Sequence, residues 1–90
     1  MKYEYRATES FWRQFHGLSS DQKASVRTAW EVFRIDPFHP SLRTHVIHTL
    51  TRRYKETVFS VVIEGDLRAV FLISGNTVLT LDVGTHDLYR

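Results

Sequence analysis

The first third of the chain shows one alternating stretch and then two apolar stripes at helical spacing. Residues 2–7 alternate between polar and apolar side chains, which predicts a short strand with Tyr3 and Tyr5 on one face. Two amphipathic helices should follow, since apolar residues recur there every three or four positions. The stripes contain Phe11, Trp12 and Phe15 in the first helix and Val26, Ala29, Trp30 and Phe33 in the second. We expect their large aromatic residues to form the core.

The predicted helix ends carry capping signals. Thr8 offers an N-cap oxygen to the first helix, and Gly17 suits its end. Ser19 and Gln22 have the spacing of a capping box at the start of the second helix. Asp36-Pro37 stops it, because a residue before proline disfavours the helical conformation. The sequence therefore predicts an αα-hairpin joined by a short link.

The second half of the chain changes to a β pattern. Residues 37–51 show neither period and contain both prolines, so we expect a loop or a partly extended connection. Three β-rich stretches follow, separated by short turns at Glu64-Gly65-Asp66 and Ser74-Gly75-Asn76. The order β-α-α-β-β-β predicts an α+β two-layer sandwich, in which the helical hairpin packs on a mainly antiparallel four-stranded sheet. At 90 residues the chain should form a single domain, 1–90.

Composition narrows the classes of function. The chain contains no cysteine, which excludes a disulfide framework, a thiolate zinc site and a cysteine nucleophile. Its start lacks the apolar segment of a secretory signal, and no apolar run approaches the roughly 20 residues that span a bilayer. We therefore expect a cytoplasmic protein without a membrane partner.

The charge is mildly basic and unevenly distributed. The formal net charge is +2 with the five histidines neutral. The stretch from residue 43 to residue 55 contains no acid, and its basic residues are Arg43, His45, His48, Arg52, Arg53 and Lys55. Such a stretch fits contacts with nucleic-acid phosphates, although a solvated surface would have the same composition.

The closing segment is the main candidate for chemistry. Gly84 would let the backbone turn after the last strand, and His86 and Tyr89 follow. Arg68 lies in a predicted neighbouring strand, where a charged residue must face solvent, an acid or a ligand anion. Cleavage of RNA by its own 2′-hydroxyl needs a base, an acid and a fixed cation. His86 and Tyr89 could exchange the protons in either order, with Arg68 and Arg52 or Arg53 supplying the charge.

Structural interpretations of the same residues stay open. His86 could be a solvent-exposed residue, and Tyr89 could pack on the sheet to secure the chain end. Arg68 could form an ion pair with Glu64 or Asp82. His45 and His48 could hold a metal ion, but no cysteine or acidic cluster lies beside them, so we expect neither a metal nor another cofactor.

The whole chain resembles the RelE/ParE superfamily of bacterial toxins from toxin–antitoxin systems. The similarity lies in the Arg68 strand, in the Gly84-Thr85-His86 ending and in the histidine segment that begins at His45. The RelE-like and YafQ-like branch is the best match. That resemblance implies RNA contact or cleavage for Arg68 and His86, a terminal aromatic role for Tyr89 and an acidic role for Asp66. Val62 stands where the YafQ-like branch has a second histidine.

The resemblance also implies a function and partners. The expected activity is that of an mRNA interferase, a metal-independent endoribonuclease that inhibits translation on the ribosome by cutting mRNA. The expected protein partner is a cognate antitoxin. The toxin would bind operator DNA only through that antitoxin. Two rivals remain: a ParE-like inhibitor of DNA gyrase, and a degenerate toxin that only binds its antitoxin or acts as a co-repressor.

Overall fold

The fold is α+β, as the sequence predicts, and it is built on one mixed sheet. The computed structural model describes residues 2–89, without the side chains of His86 and Tyr89. Within that part, the elements follow one another as β1 (Glu4–Ala7), α1 (Glu9–His16), α2 (Ser20–Phe33), β2 (His45–Val46), α3 (His48–Tyr54), β3 (Val58–Glu64), β4 (Leu67–Ser74) and β5 (Thr77–Thr85). None of the helices in the described residues is both long and apolar enough to cross a membrane.

The N-caps of the helical hairpin are those that the sequence predicts, whereas the second helix ends at Phe33, before Asp36-Pro37. Thr8 Oγ1 accepts a hydrogen bond from the backbone N–H of Phe11 at 3.0 Å. Ser19 Oγ accepts from the Gln22 N–H at 3.1 Å, and Gln22 Oε1 accepts from the Ser19 N–H at 3.0 Å. These contacts satisfy N–H groups that have no partner inside a helix, so both helices begin at fixed positions.

The strand order in the sheet is β1-β5-β4-β3-β2. Strands β2 to β5 pair antiparallel with their neighbours, whereas β1 pairs parallel with β5, from Glu4↔Thr77 to Ala7↔Thr80. The expected four-stranded sheet therefore has a fifth, two-residue strand, β2, at its edge. The first strand joins at the opposite edge, a position that the sequence does not specify.

The segment expected to be a loop or extended connection contains both β2 and α3. Only two residues of β2 pair with β3, too few to show a period. Helix α3 has seven residues, and its N-cap, Ile47, makes no side-chain hydrogen bond. One buried leucine, Leu50, attaches this helix to the sheet. A helix of two turns with one buried contact lacks the repeated stripe that reveals longer helices.

Each face of the sheet has its own apolar core. The first face lies under α1 and α2, and Phe33, Val61 and Phe71 belong to its core. The second face lies partly under α3, with Leu50, Val70 and Leu72 in its core. Neighbouring residues of a strand point to opposite faces, which is why Val70 and Phe71 belong to different cores. The near-continuous apolar runs of the meander reflect this two-sided burial.

The prediction that the two tryptophans lie in the core is wrong. Trp12 remains 49% exposed and Trp30 41% exposed, whereas Phe33, from the same predicted set, is only 5% exposed. Trp12 packs edge-to-face against Phe11 at a centroid distance of 5.1 Å. Trp30 packs in the same way against Tyr5 at 5.5 Å. Both indoles therefore sit at the rim of the aromatic core, where one ring edge stays in solvent.

Tyr5 links β1 to the end of α2 and should make stability depend on pH. Its hydroxyl donates a hydrogen bond to the Phe33 carbonyl at 3.0 Å. Burial, with smaller effects of Tyr3 and Asp36, raises the pKa of the Tyr5 phenol above its usual value. A raised folded-state pKa means that the stabilisation is complete below the unfolded pKa, about 10, and is lost as pH rises through the folded pKa.

We expect Tyr5→Phe to lower the free energy of unfolding by about 1 kcal/mol at neutral pH, because it removes this hydrogen bond. Above about pH 10, stability should fall less steeply in the variant than in the wild type. Urea titrations across that range measure both quantities. Tyr54→Phe, at an exposed ring, is the control. Parallel pH curves for the wild type and Tyr5→Phe would contradict the assignment.

Candidate functional site

Arg68 lies on the second face of the sheet, in a row with Val62 and Gly84. It pairs with Val62 of β3 on one side and with Gly84 of β5 on the other. Directly paired residues of antiparallel strands share one face, so all three positions face the same side. Arg68 is half-buried. The expectation that Arg68 lies beside the last strand is thus confirmed, and Val62 is its immediate neighbour on β3.

The guanidinium of Arg68 is held by main-chain oxygens and not by an acid. Its Nη1 donates to the Gly65 carbonyl at 2.5 Å and to the Leu67 carbonyl at 3.3 Å. Among the side chains that the structure describes, no carboxylate lies within 4.0 Å of it. The alternative of an ion pair with Glu64 or Asp82 is therefore wrong: Asp82 Oδ1 instead accepts a hydrogen bond from Ser10 at 2.8 Å. Among the described side chains, none compensates the positive charge of Arg68, which can therefore bind an anion.

The chain turns back over this face directly after β5. A closing 3-10 turn, His86–Tyr89, follows the strand. A Cβ atom added at Gly84 would lie 3.2 Å from Leu88 Cδ2, so the Leu88 side chain occupies the space next to Gly84. Because a side chain at position 84 would share the face of Arg68, the closing turn packs on that same face. Gly84 is needed less for its backbone freedom than for the space it leaves to Leu88.

The proposed proton-transfer groups belong to this turn. The backbone of His86 and Tyr89 lies in the closing turn, while their side chains lie outside the described residues. Their catalytic roles therefore stay predictions. The structure brings the segment that carries them to the face on which Arg68 lies, which the single-site mechanism requires.

His45 lies on the same face but farther away. It pairs with Ser60, which pairs with Val70, so the three positions form the row next to that of Arg68. Two strand spacings separate β2 from β4, roughly 10 Å, and one row adds about 7 Å along the strands. The His45 ring is exposed, and its Nδ1 lies 2.9 Å from the Arg43 carbonyl. His45 can contact a bound polymer at this distance, but not the atoms held by Arg68.

The other predicted RNA-binding residues surround α3. His48 begins this helix, Arg52 and Arg53 lie in its last turn, and Lys55 follows in a left-handed conformation with φ 58°. All four are exposed. Arg52, Arg53 and Lys55 thus belong to the end of a helix and not to the start of a strand. Because Leu50 packs with Val70 and Leu72, this basic helix covers one end of the face, and Arg68 lies towards the other.

Asp66 lies in the turn between β3 and β4, two residues before Arg68. It is exposed. The structure places it at the tip of the hairpin that holds Arg68, at the end of the sheet away from α3. Asp66 and the basic residues of α3 therefore lie at opposite ends of the face.

The second face is a shallow surface with a cation at one end and a basic helix at the other. Ser60 and Val62 lie on its floor, and α3 and the closing turn lie on top of it. Such an arrangement fits an extended anionic polymer better than a small enclosed ligand. The sequence-based prediction did not include Leu88. The pattern that could have identified it is an apolar residue four positions after a glycine at the end of a strand.

Metal binding has little support among the described side chains. They include no group of three or more histidine, cysteine, aspartate or glutamate residues placed to hold an ion. His45 and His48, considered as a pair of ligands, lie on different elements, β2 and α3.

Comparison with known proteins gives matches to solved structures alone. No protein-family profile and no curated protein sequence matches the chain. A chain of the archaeal RelE–RelB complex from Pyrococcus horikoshii superposes with a TM-score of 0.71 at 10% identity, over 94% of this chain and 96% of that one. A chain of the Escherichia coli DinJ–YafQ complex does so with a TM-score of 0.66 at 11% identity, over 97% of both chains.

A third similar structure is the metal-bound toxin from Helicobacter pylori. It matches with a TM-score of 0.65 at 15% identity, over 98% of this chain and 99% of that one. At these identities the similarity establishes the fold. The chain shares the fold of these RelE, YafQ and Helicobacter pylori chains over nearly its whole length, which confirms at the level of structure the resemblance seen in the sequence.

Proposed function

We propose that this chain, with its RelE-like fold, is the toxin of a toxin–antitoxin system and acts as a ribosome-dependent mRNA endoribonuclease. The observation that carries the proposal is Arg68, an arginine without an acidic partner among the described side chains, on the face over which the closing turn packs. The similar YafQ and RelE chains were solved in complexes with a second protein, DinJ or RelB, which supports an antitoxin as partner.

The proposed reaction is transfer of a phosphodiester within the RNA. The 2′-oxygen attacks the neighbouring phosphorus as a base takes its proton, and the bond from phosphorus to the 5′-oxygen breaks as an acid protonates that oxygen. The products are a 2′,3′-cyclic phosphate and a 5′-hydroxyl. His86 and Tyr89 are the proposed base and acid, in either order. Arg68 stabilises the negative charge that grows on the phosphate oxygens.

The basic helix end should bind the RNA backbone away from the cut. Arg52, Arg53 and Lys55 are exposed cations, and His45 and His48 lie on or next to the same face. Phosphate contacts of this kind position a strand without reading its sequence. Asp66, at the far end of the face, would then contact sugar hydroxyls or bases and not phosphates.

We expect the double substitution Arg52→Gln and Arg53→Gln to weaken RNA binding uniformly across sequences. Each lost phosphate contact reduces the slope of log affinity against log salt by about 0.7 for a single strand, so two should reduce it by about 1.4. Fluorescence anisotropy with a labelled RNA at several salt concentrations measures the slope. Arg13→Gln with Arg34→Gln is the charge-matched control, because both exposed residues belong to the helical hairpin on the other face of the sheet. An unchanged slope in the first variant would contradict the role of α3.

The proposed place of action is the ribosome in the cytoplasm, where mRNA is engaged and accessible. The antitoxin would lay a helix or strand over the second face and the helical hairpin, and the toxin would bind operator DNA only through the antitoxin. A test adds the purified protein to a translating extract and maps the ends of the message, with and without ribosomes. New ends that require ribosomes are expected.

The same preparation distinguishes the rival functions. An intact message at micromolar protein, together with loss of supercoiling by purified gyrase, would replace the nuclease with a gyrase inhibitor. An intact message and normal supercoiling, with retained binding to the cognate antitoxin, would indicate a degenerate toxin.

A further inference from the structure

A cavity of about 470 Å³ lies on the first face of the sheet, between the helical hairpin and the strands. Its walls include Phe15 of α1 and Val26 of α2, and its floor includes Val61 and Phe71. Trp12 and Trp30 line its mouth, and each is a little under half exposed. The volume falls within the range typical of small-molecule sites, and the lining is almost wholly apolar. The second face, with Arg68 and the closing turn, is on the other side of the sheet, so this cavity is separate from the proposed nuclease site.

The mouth of the cavity carries positive charge that the described residues do not neutralise. Arg27 lines the cavity, and its guanidinium carbon lies 5.5 Å from the Phe15 ring centroid. Lys23 is not a lining residue, but its Nζ lies 6.0 Å from the same centroid. Neither cation has a described carboxylate within 4.0 Å. Arg6, which also lines the cavity, is paired with Glu4 at 3.3 Å.

Lys23 and Arg27 are one helical turn apart and repel each other. Like charges at positions i and i+4 destabilise a helix. The contact of the two cations with the face of the Phe15 ring offsets only part of this repulsion. An anion placed between them would remove this repulsion. Apolar walls below a pair of cations are complementary to a molecule with an apolar body and one negative head.

We propose that this cavity binds a small anionic amphiphile, a monocarboxylate with a single apolar chain. The chain would lie between α1, α2 and the sheet, and the carboxylate would pair with Arg27 and Lys23. A helix with its side chains measures about 10–12 Å across and would have to lie over the mouth. A single chain can enter without separating the layers.

The test uses decanoate, with decanol as its neutral counterpart of the same chain length. Trp12 and Trp30 are the only tryptophans of the chain, so intrinsic fluorescence reports on the mouth of the cavity. We expect a saturable blue shift with one decanoate per chain, below the concentration at which it forms micelles. Decanol should bind about tenfold more weakly, since it lacks the charge. Far-ultraviolet circular dichroism should stay constant throughout the titration.

Three variants make the test specific. Arg27→Gln should weaken decanoate about tenfold and leave decanol unchanged. Ala29→Phe, which places a ring into the cavity, should weaken both ligands. Arg34→Gln, on the same helix but paired with Glu31 and outside the cavity, should bind both as the wild type does.

Three results would overturn the proposal: no saturable shift, equal affinity for decanoate and decanol, or full decanoate affinity in Arg27→Gln. A saturable shift with an acidic amphipathic peptide but not with decanoate would also overturn it, and would assign the face to a protein partner. Loss or retention of mRNA cleavage has no bearing on these outcomes.

Discussion

Phe71→Ala should lower the free energy of unfolding by about 3–5 kcal/mol, the largest loss of stability that we expect from one side chain. Phe71 is 0% exposed in the middle of β4. Its ring meets Phe33 edge-to-face at 4.9 Å and stacks on Phe59 at 5.2 Å. The substitution leaves a cavity between the sheet and α2 and removes two aromatic contacts. Denaturant titration followed by circular dichroism measures the loss.

Phe38→Ala is the matched control for this prediction. Phe38 belongs to the same aromatic group, 5.2 Å from Phe59 and 6.2 Å from Phe71, but it is 43% exposed. Its removal opens the surface and leaves no closed cavity, so the loss should be well under half of that for Phe71→Ala. If Phe71→Ala does not fold, Phe71→Leu should show a smaller loss of the same kind. Equal losses at positions 38 and 71 would contradict the description of the core.

Arg68→Gln should reduce mRNA cleavage about 10²- to 10³-fold, the usual cost of removing one group that stabilises charge in the transition state. Thermal stability should change little, because the arginine donates only to carbonyls at a turn and is not part of either apolar core. Arg68→Lys keeps the charge but loses the planar fork, so it should retain part of the activity. Quantitative mapping of message ends over time in a translating extract measures these rates.

The control for Arg68→Gln is Arg34→Gln on α2. It removes the same charge and breaks an exposed ion pair with Glu31, which lies on α2 and therefore away from Arg68 on β4. Cleavage should continue at the wild-type rate. A rate for Arg68→Gln within about threefold of the wild type, a free-energy difference well below 1 kcal/mol, would remove Arg68 from the mechanism.

Local signals predicted the fold wherever a few neighbouring residues decide the structure. Thr8 and Ser19 cap their helices as expected, since a capping contact spans only three residues. The parallel pairing of β1 with β5 could not be predicted in the same way, because it joins Glu4 to Thr77 across most of the chain. Helix α1 joins β5 beyond the last pair, Ala7↔Thr80, where Gln14 Oε1 accepts a hydrogen bond from the Val83 N–H.

In the candidate site, too, the local features could be predicted from the sequence and the long-range contacts could not. Sequence chemistry pointed to Arg68 and the closing segment, because a cation in an apolar strand and a polar chain end are unusual. Their common face depends on the register Arg68↔Gly84 and on the contact of Leu88 with Gly84, and these are tertiary facts. The exposure of Trp12 and Trp30 was missed for a related reason: an apolar stripe indicates the buried side of a helix but not how far its edge reaches.

The chemical nature of the cut ends tests the central claim most directly. Message cut in a translating extract should carry a 5′-hydroxyl on one fragment and a 2′,3′-cyclic or 3′-phosphate on the other, as attack by the 2′-oxygen requires. The same ends should disappear with Arg68→Gln and with His86→Ala. An intact message, ends with a 5′-phosphate, or undiminished cleavage by both variants would contradict the account.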